Sequence, residues 1–382
     1  MALSKIDVAN MLTGLVPNDN TIRRPNAKPL IINGNMAVAQ KATSVTSLTS
    51  SGAVQTVDRI KNEISNIGTY TVIQESLSSG EAYNNGFRKA WRIDCTSADA
   101  SPAAGDNLYV TYHFEGQDLQ LFKKGTSNAQ KFTLAFWIKS NKTGTGQVNL
   151  RDNDNSILIG GTYTISSADT WEHKVVNFAA DTTGAFDNDN AGSMDIEWWL
   201  DSGTTYSSGA TPTAWEAFSQ ADRNASGNLQ IARNTANDWA ITGIQLEVGE
   251  FSSTTLPPFQ FEDFGDNKNR CLRYYYRLNP DADAQASIGE ASYYSSSAAF
   301  CCLEFPIAMR DSPSLEQTTG TDYFNLNRNS ANDSFDSFNN LNASDHTSAQ
   351  LYISSGISGT AGHGARCRFN DASARLAFSA EL

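Results

Sequence analysis

Five stretches between residues 90 and 250 alternate apolar and polar side chains, and this period of two constrains the fold more than any other feature of the chain. Trp91/Ile93/Cys95, Leu108/Val110/Tyr112/Phe114, Phe132/Leu134/Phe136/Ile138, Met194/Ile196/Trp198/Leu200 and Ala240/Thr242/Ile244/Leu246/Val248 each put their apolar members on one face. Half-buried strands do this; helices do not. Between them lie Gly-, Asn- and Asp-rich turns such as 141–146 and 182–192, as expected of an antiparallel sandwich. No internal repeat of about 20 to 50 residues is present, which argues against a β-helix.

With 382 residues the chain exceeds what one hydrophobic core usually serves. Charged residues make up 18% of it, with 41 acidic against 28 basic and a net charge of −13, so nucleic acid is a poor partner. Cys95, Cys271, Cys301, Cys302 and Cys367 are odd in number and lack metal or redox spacing, which predicts free thiols. On a strand, adjacent Cys301 and Cys302 point to opposite faces. No basic region followed by an apolar run opens the sequence. No stretch approaches the roughly twenty apolar residues that span a bilayer, so neither export nor membrane insertion is expected.

Two segments read as the opening and closing strands of one β-domain, Leu30–Gln40 (LIINGNMAVAQ) and Ile241–Gly249 (ITGIQLEVG). The second runs on through Leu256–Glu262 to Asn269–Tyr276 (NRCLRYYY). This succession, with a weaker match at Phe305–Arg310, resembles the bacteriophage tail-fibre proteins whose carbohydrate-binding-like jelly roll ends in a "TGxQLEVG" strand followed by "CxRYY". The resemblance implies a homotrimeric virion subunit, located in the phage tail and assembled in the host cytoplasm, whose partners are its own copies, a tail or connector protein, and host-surface polysaccharide or lipopolysaccharide. Binding rather than turnover is expected. A capsid-decorating or connecting fibre without a receptor site, and a polysaccharide-degrading tailspike, stay open as alternatives.

The expected fold class is mainly β, a jelly-roll β-sandwich with a short N-terminal helix and a smaller C-terminal β-domain. Residues 1–28 read as an attachment helix and linker, with Ser4 as N-cap, Val8, Met11, Leu12 and Leu15 on one face, and Gly14 and Pro17 as the stop. Residues 29–262 read as the jelly roll and 263–382 as the C-terminal domain. Val57, Ile60, Ile64 and Ile67 form a heptad fragment, but two heptads are too few for a coiled coil, and the resemblance puts Val57–Arg59 and Thr69–Ile73 in or beside strands. In the C-terminal part Leu272, Tyr274, Tyr276 and Leu278 share one face, and the Asn- and Ser-rich stretch 325–348 reads as exposed or flexible loops. Cys367–Phe369 and Leu376–Leu382 alternate again and close the domain.

Trp199 is the leading ligand candidate. Its neighbour Trp198 belongs to the buried row, so Trp199 faces away from the core beside Glu197 and Asp201, where a ring and carboxylates would suit a sugar. Tyr206 and Trp215 follow in the next loop. The tetrads Asp152–Asn155 and Asp187–Asn190 offer hard-cation ligands, with Asp152, Asp154, Asp187 and Asp189 as calcium candidates. Asx-rich turns of this kind also serve backbone geometry alone, and no other cofactor is expected. His113, His173, His346 and His363 lack partner spacing, and no nucleophile-elbow, phosphate-loop or dinucleotide motif is present. No catalytic residue is assigned. A carboxylate pair for glycoside hydrolysis is a spatial matter that sequence leaves open.

Overall fold

The structure is a computed structural model that describes residues 28–382 apart from 228, 329 and 330. The helix expected near the N-terminus lies outside the described residues.

Two antiparallel sheets face each other. One has six strands in the spatial order Ser44–Leu48, Thr69–Ser76, Lys89–Ser97, Asp238–Val248, Phe132–Lys139 and Glu172–Phe178. The other has seven, in the order Glu216–Ala217, Ile157–Ile165, Gly144–Asp152, Gly192–Ser202, Asn107–Glu115, Lys61–Ser65 and Ser51–Val54. Several neighbours in space are distant in sequence, as Lys89–Ser97 beside Asp238–Val248 and Lys61–Ser65 beside Asn107–Glu115, because the chain crosses between the sheets as a jelly roll does. All five alternating stretches are strands, and the apolar rows of the first four meet in one core containing Trp91, Ile93, Val110, Phe136, Ile196 and Trp198. The fifth row is broken: the register shifts between Thr242 and Gln245, so Ile244 and Leu246 enter this core together with Trp239 and Ile241, while Ala240 faces away into a separate cluster with Phe87 and Trp171. Trp198 meets Phe136 edge-on at 5.9 Å, and Trp91 meets Trp239 at 6.1 Å. Val57, Ile60, Ile64 and Ile67 all enter this core, with Ile64 on the strand Lys61–Ser65.

Leu30–Gln40 is not a strand; it is a folded turn plugged into the sandwich. Asn33 and Met36 take left-handed φ of 61° and 58°. The Asn33 side chain closes the turn, accepting from Val38 N at 2.9 Å and donating to Val38 O at 2.9 Å and Asp58 O at 3.0 Å. The closing strand is built to receive it. Its register shifts between Thr242 and Gln245, Gly243 has φ 61°, and Ile244 N donates to Gly34 O at 3.0 Å. A Cβ on Gly34 would lie 2.3 Å from Ile244 O, so only glycine fits. Asn-Gly-Asn and Thr-Gly-Ile are therefore two halves of one contact.

The apolar face expected over 272–278 is interrupted. A helix spans Phe264–Leu272, capped by the Asp263 side chain accepting from Asp266 N at 2.9 Å, and only Tyr275–Leu278 is a strand. That strand joins a three-stranded sheet with Leu376–Ser379 and Ser314–Gln317. Beside it stands a seven-stranded sheet in the order Ala331–Phe335, Phe324–Arg328, Gly364–Phe369, Ser287–Tyr293, Ala299–Glu304, Ser348–Ile353 and Asn340–Ser344. The stretch 325–348 is thus largely strand rather than loop. Its Leu326, Phe335 and Phe338 fill a second core with Cys301, Leu351, Cys367, Phe369 and Phe378, while its Asn and Ser residues mostly line the other face. The five cysteines are free, Cys301 buried and Cys302 exposed.

The junction between the two cores is polar and buried. Arg273 grips Glu115 with two hydrogen bonds of 2.8 and 2.6 Å, and Tyr274 Oη donates to the same carboxylate at 2.5 Å. Arg59 lies 3.5 Å over the Tyr274 ring and pairs with Glu381 at 2.8 Å. The Arg-Tyr pair of the "CxRYY" segment is thus a latch.

Candidate functional site

Trp199 lies on the face of its strand opposite Trp198, as alternation requires, yet it is 0% exposed. The segment 203–233 crosses over this face. The Trp199 ring stacks on Tyr109 at 4.4 Å and 14°, leans on Tyr206 at 5.1 Å, and has the Arg223 guanidinium 4.5 Å from its centroid. Its Nε1 donates to Glu197 at 3.0 Å, and Glu197 is held by Arg223 through bonds of 3.0 and 2.6 Å. Asn149 and Gln147 fasten the same segment by donating to the Arg223 and Asp222 carbonyls, each at 2.7 Å. Asp201 accepts from Ala232 N at 3.1 Å and pairs with Arg233 at 3.2 Å. Burial keeps its carboxyl above the usual range despite the arginine. Trp199, Glu197 and Asp201 therefore present no free plane or carboxylate to a sugar. Tyr206 is half-buried in this stack, and Trp215 donates to Ala179 O at 2.8 Å while packing against the sandwich core.

His113 Nδ1 meets Asp195 at 2.5 Å, and Asn153 donates to the other oxygen of that carboxylate at 3.0 Å. Burial would raise the Asp195 pKa, but the His113 charge and these two hydrogen bonds outweigh it and leave the carboxyl below its ordinary value.

The calcium candidates are used otherwise. Asp152 is fully buried against Lys124 Nζ at 2.5 Å, and Lys124 also reaches Asp181 at 2.7 Å, so an ammonium stands where a metal would. Asp154 accepts from Asp187 N at 2.9 Å, tying the two tetrads together, and Asp189 accepts from Ala191 N at 2.9 Å within its own turn. Asp187 itself is exposed. Among the described residues no group of three or more His, Cys, Asp or Glu is placed to hold a metal ion.

A different surface has the character that Trp199 lacks. In the turn between the strands Ser287–Tyr293 and Ala299–Glu304 of the C-terminal seven-stranded sheet, Tyr294 is 74% exposed, the most exposed large apolar side chain among the described residues. Its ring meets Phe300 edge-on at 5.7 Å, and Phe300 meets Tyr352 at 5.3 Å across the next strand. Phe300 pairs with Ser292 on one side and Tyr352 on the other, and Tyr352 pairs with Asn340, so the rings cross neighbouring strands on one outward face. The hairpin that carries Tyr294 is closed by Tyr294 N donating to Ala298 O at 2.8 Å. Along the same face lie exposed Glu290 and Cys302 with half-buried Gln350, in register with one another, and they border a recess of about 750 Å³. Planar rings beside hydroxyl, amide and carboxylate groups can bind an amphipathic, many-hydroxyl ligand. Sequence held a signal for this. In Tyr293-Tyr294 one ring must turn outward if the other enters the core, and Tyr352 sits between Leu351 and Ile353, both fully buried.

No protein-family model and no curated protein matches the sequence. Among solved structures, a putative sugar binding protein from Bacteroides thetaiotaomicron is similar over 58% of this chain and 100% of its own, with 13% identity and a TM-score of 0.31. A family 11 carbohydrate-binding module from Clostridium thermocellum is similar over 55% and 98%, with 11% identity and a TM-score of 0.26. The enzymatically active domain of bacteriophage CBA120 tailspike protein 4 is similar over 53% of this chain and 21% of that one, with 14% identity and a TM-score of 0.29. The chain thus spans about a fifth of that tailspike domain.

Proposed function

We propose that this chain is a tail-fibre subunit of a phage virion that binds host-surface glycans through the ring strip Tyr294, Phe300 and Tyr352. The observation that carries the reading is that strip: Phe300 and Tyr352 side by side on an outward sheet face and Tyr294 beside them in the turn, flanked by polar groups, while the sandwich's own aromatic cluster is sealed. Phe300 and Tyr352 are held by strands and so are pre-organised for stacking on sugar C–H faces. Each contact is weak, and a symmetric trimer presenting three strips gains through effective concentration. The sandwich and its latched junction serve as a rigid mount, with residues 1–28 as the attachment to the particle.

Titration of the chain against a panel of bacterial surface polysaccharides tests this. Saturable binding is expected, with Tyr294→Ala and Tyr352→Ala each weakening it about tenfold and leaving the melting transition unchanged. Unchanged binding in both variants would remove the strip from the site. Reducing ends released during the titration would replace binding by cleavage.

A further inference from the structure

We propose that the cleft where the sandwich meets the C-terminal domain is a binding site for an oxyanion, a carboxylate or phosphate group carried on a saccharide-sized ligand. Two adjoining recesses of about 330 and 490 Å³ share Lys41, Ala42, Arg277 and Arg375 in their walls. Among the described residues Glu316 is the one carboxylate lining either recess, and it is already engaged by Lys41 Nζ at 2.9 Å and by the Tyr275 hydroxyl at 3.2 Å. Three cations stay uncompensated. Among the described residues the Arg277 side chain donates to the Gln40 and Lys41 carbonyls at 3.1 and 3.5 Å, and the Arg375 side chain to Lys41 O at 3.4 Å, none of them a carboxylate. Lys268, on the wall of the larger recess, has no ion pair among the described residues.

The arrangement is costly without a ligand. Arg277 Nε is buried and finds no hydrogen-bond partner among the described residues, and such a donor loses its hydration without replacement. Burial, and then the like charge of Arg375, lower the Arg277 pKa. An oxyanion between the two guanidiniums would cancel their repulsion, and the guanidinium fork matches the geometry of carboxylate and phosphate oxygens. The recesses are larger than an ion requires and fall in the range of small-ligand pockets. The site lies apart from the ring strip and stands or falls without it.

Calorimetric titration of the full chain with inorganic phosphate, glucuronate and, as uncharged control, glucose tests the assignment. Phosphate, glucuronate or both are expected to bind saturably, more weakly as salt rises, and at least tenfold more weakly in Arg375→Ala. Arg375 is exposed, so this variant is expected to melt like the parent. Binding of phosphate alone assigns a phosphorylated ligand, and of glucuronate alone a carboxylated one. Tyr294→Ala leaves this binding intact, which separates it from the glycan strip. Absence of saturable anion binding, equal binding of glucose, or undiminished affinity in Arg375→Ala would overturn the proposal.

Discussion

Trp198 and Trp199 show how far one residue's environment follows from its neighbours in sequence. Alternation assigns them to opposite faces, and they are on opposite faces. It says nothing about what covers the second face, because the cover is made by Arg223, distant in sequence, folding back onto Glu197 and the Trp199 ring. Trp199→Ala is accordingly expected to cost about 3 to 5 kcal/mol, as is Trp198→Ala, since each leaves a cavity in a filled site. Denaturant unfolding of the two variants checks it. If Trp199→Ala unfolds like the parent but loses glycan binding, the cover over that ring opens in solution and the sandwich face regains its claim as the site. The Asp-Asn tetrads teach the same lesson, because Asp152 is occupied by Lys124 and Asp154 by the Asp187 amide, contacts that no local pattern announces, while Asp189 merely closes its own turn.

At the scale of elements, the strands between 90 and 250 were legible because each buries a continuous apolar row. Strands in 325–348 were not, since scattered core residues stand among Asn and Ser, the composition that turns also use. The segment 30–40 misled in the opposite direction: Ile31 and Met36 serve the sandwich core while Ile32 and Val38 pack on Cys271 and Tyr274, so a turn buried on two sides mimics a strand. The Arg273–Tyr274 latch was legible as a motif and not as a function. Burial would push the Glu115 carboxyl up, but the Arg273 and Tyr274 hydrogen bonds outweigh it and hold its pKa below the ordinary value. A folded pKa below the unfolded one contributes stability that is present above about pH 4.3 and is lost as pH falls through the depressed folded value. Arg273→Ala should therefore cost about 3 kcal/mol near neutrality and flatten the acid limb of stability. Urea midpoints between pH 3 and 7 measure both effects, and an unchanged acid limb would mean that another carboxylate governs it.

For the molecule as a whole, the proposal joins an attachment segment, a rigid sandwich and a distal ring strip in a symmetric assembly. Light scattering is expected to give three times 41.4 kDa for the full chain, and removal of residues 1–28 to leave a folded protein that no longer enters particles. A monomer at every concentration would remove the avidity on which weak glycan contacts depend. The most direct measurement is amide hydrogen exchange of the full chain with and without a bound surface polysaccharide, read at the hairpin 293–299 and at the sandwich strands 107–115 and 192–202. Protection on binding is expected at the hairpin that carries Tyr294; protection confined to the two sandwich strands would contradict it.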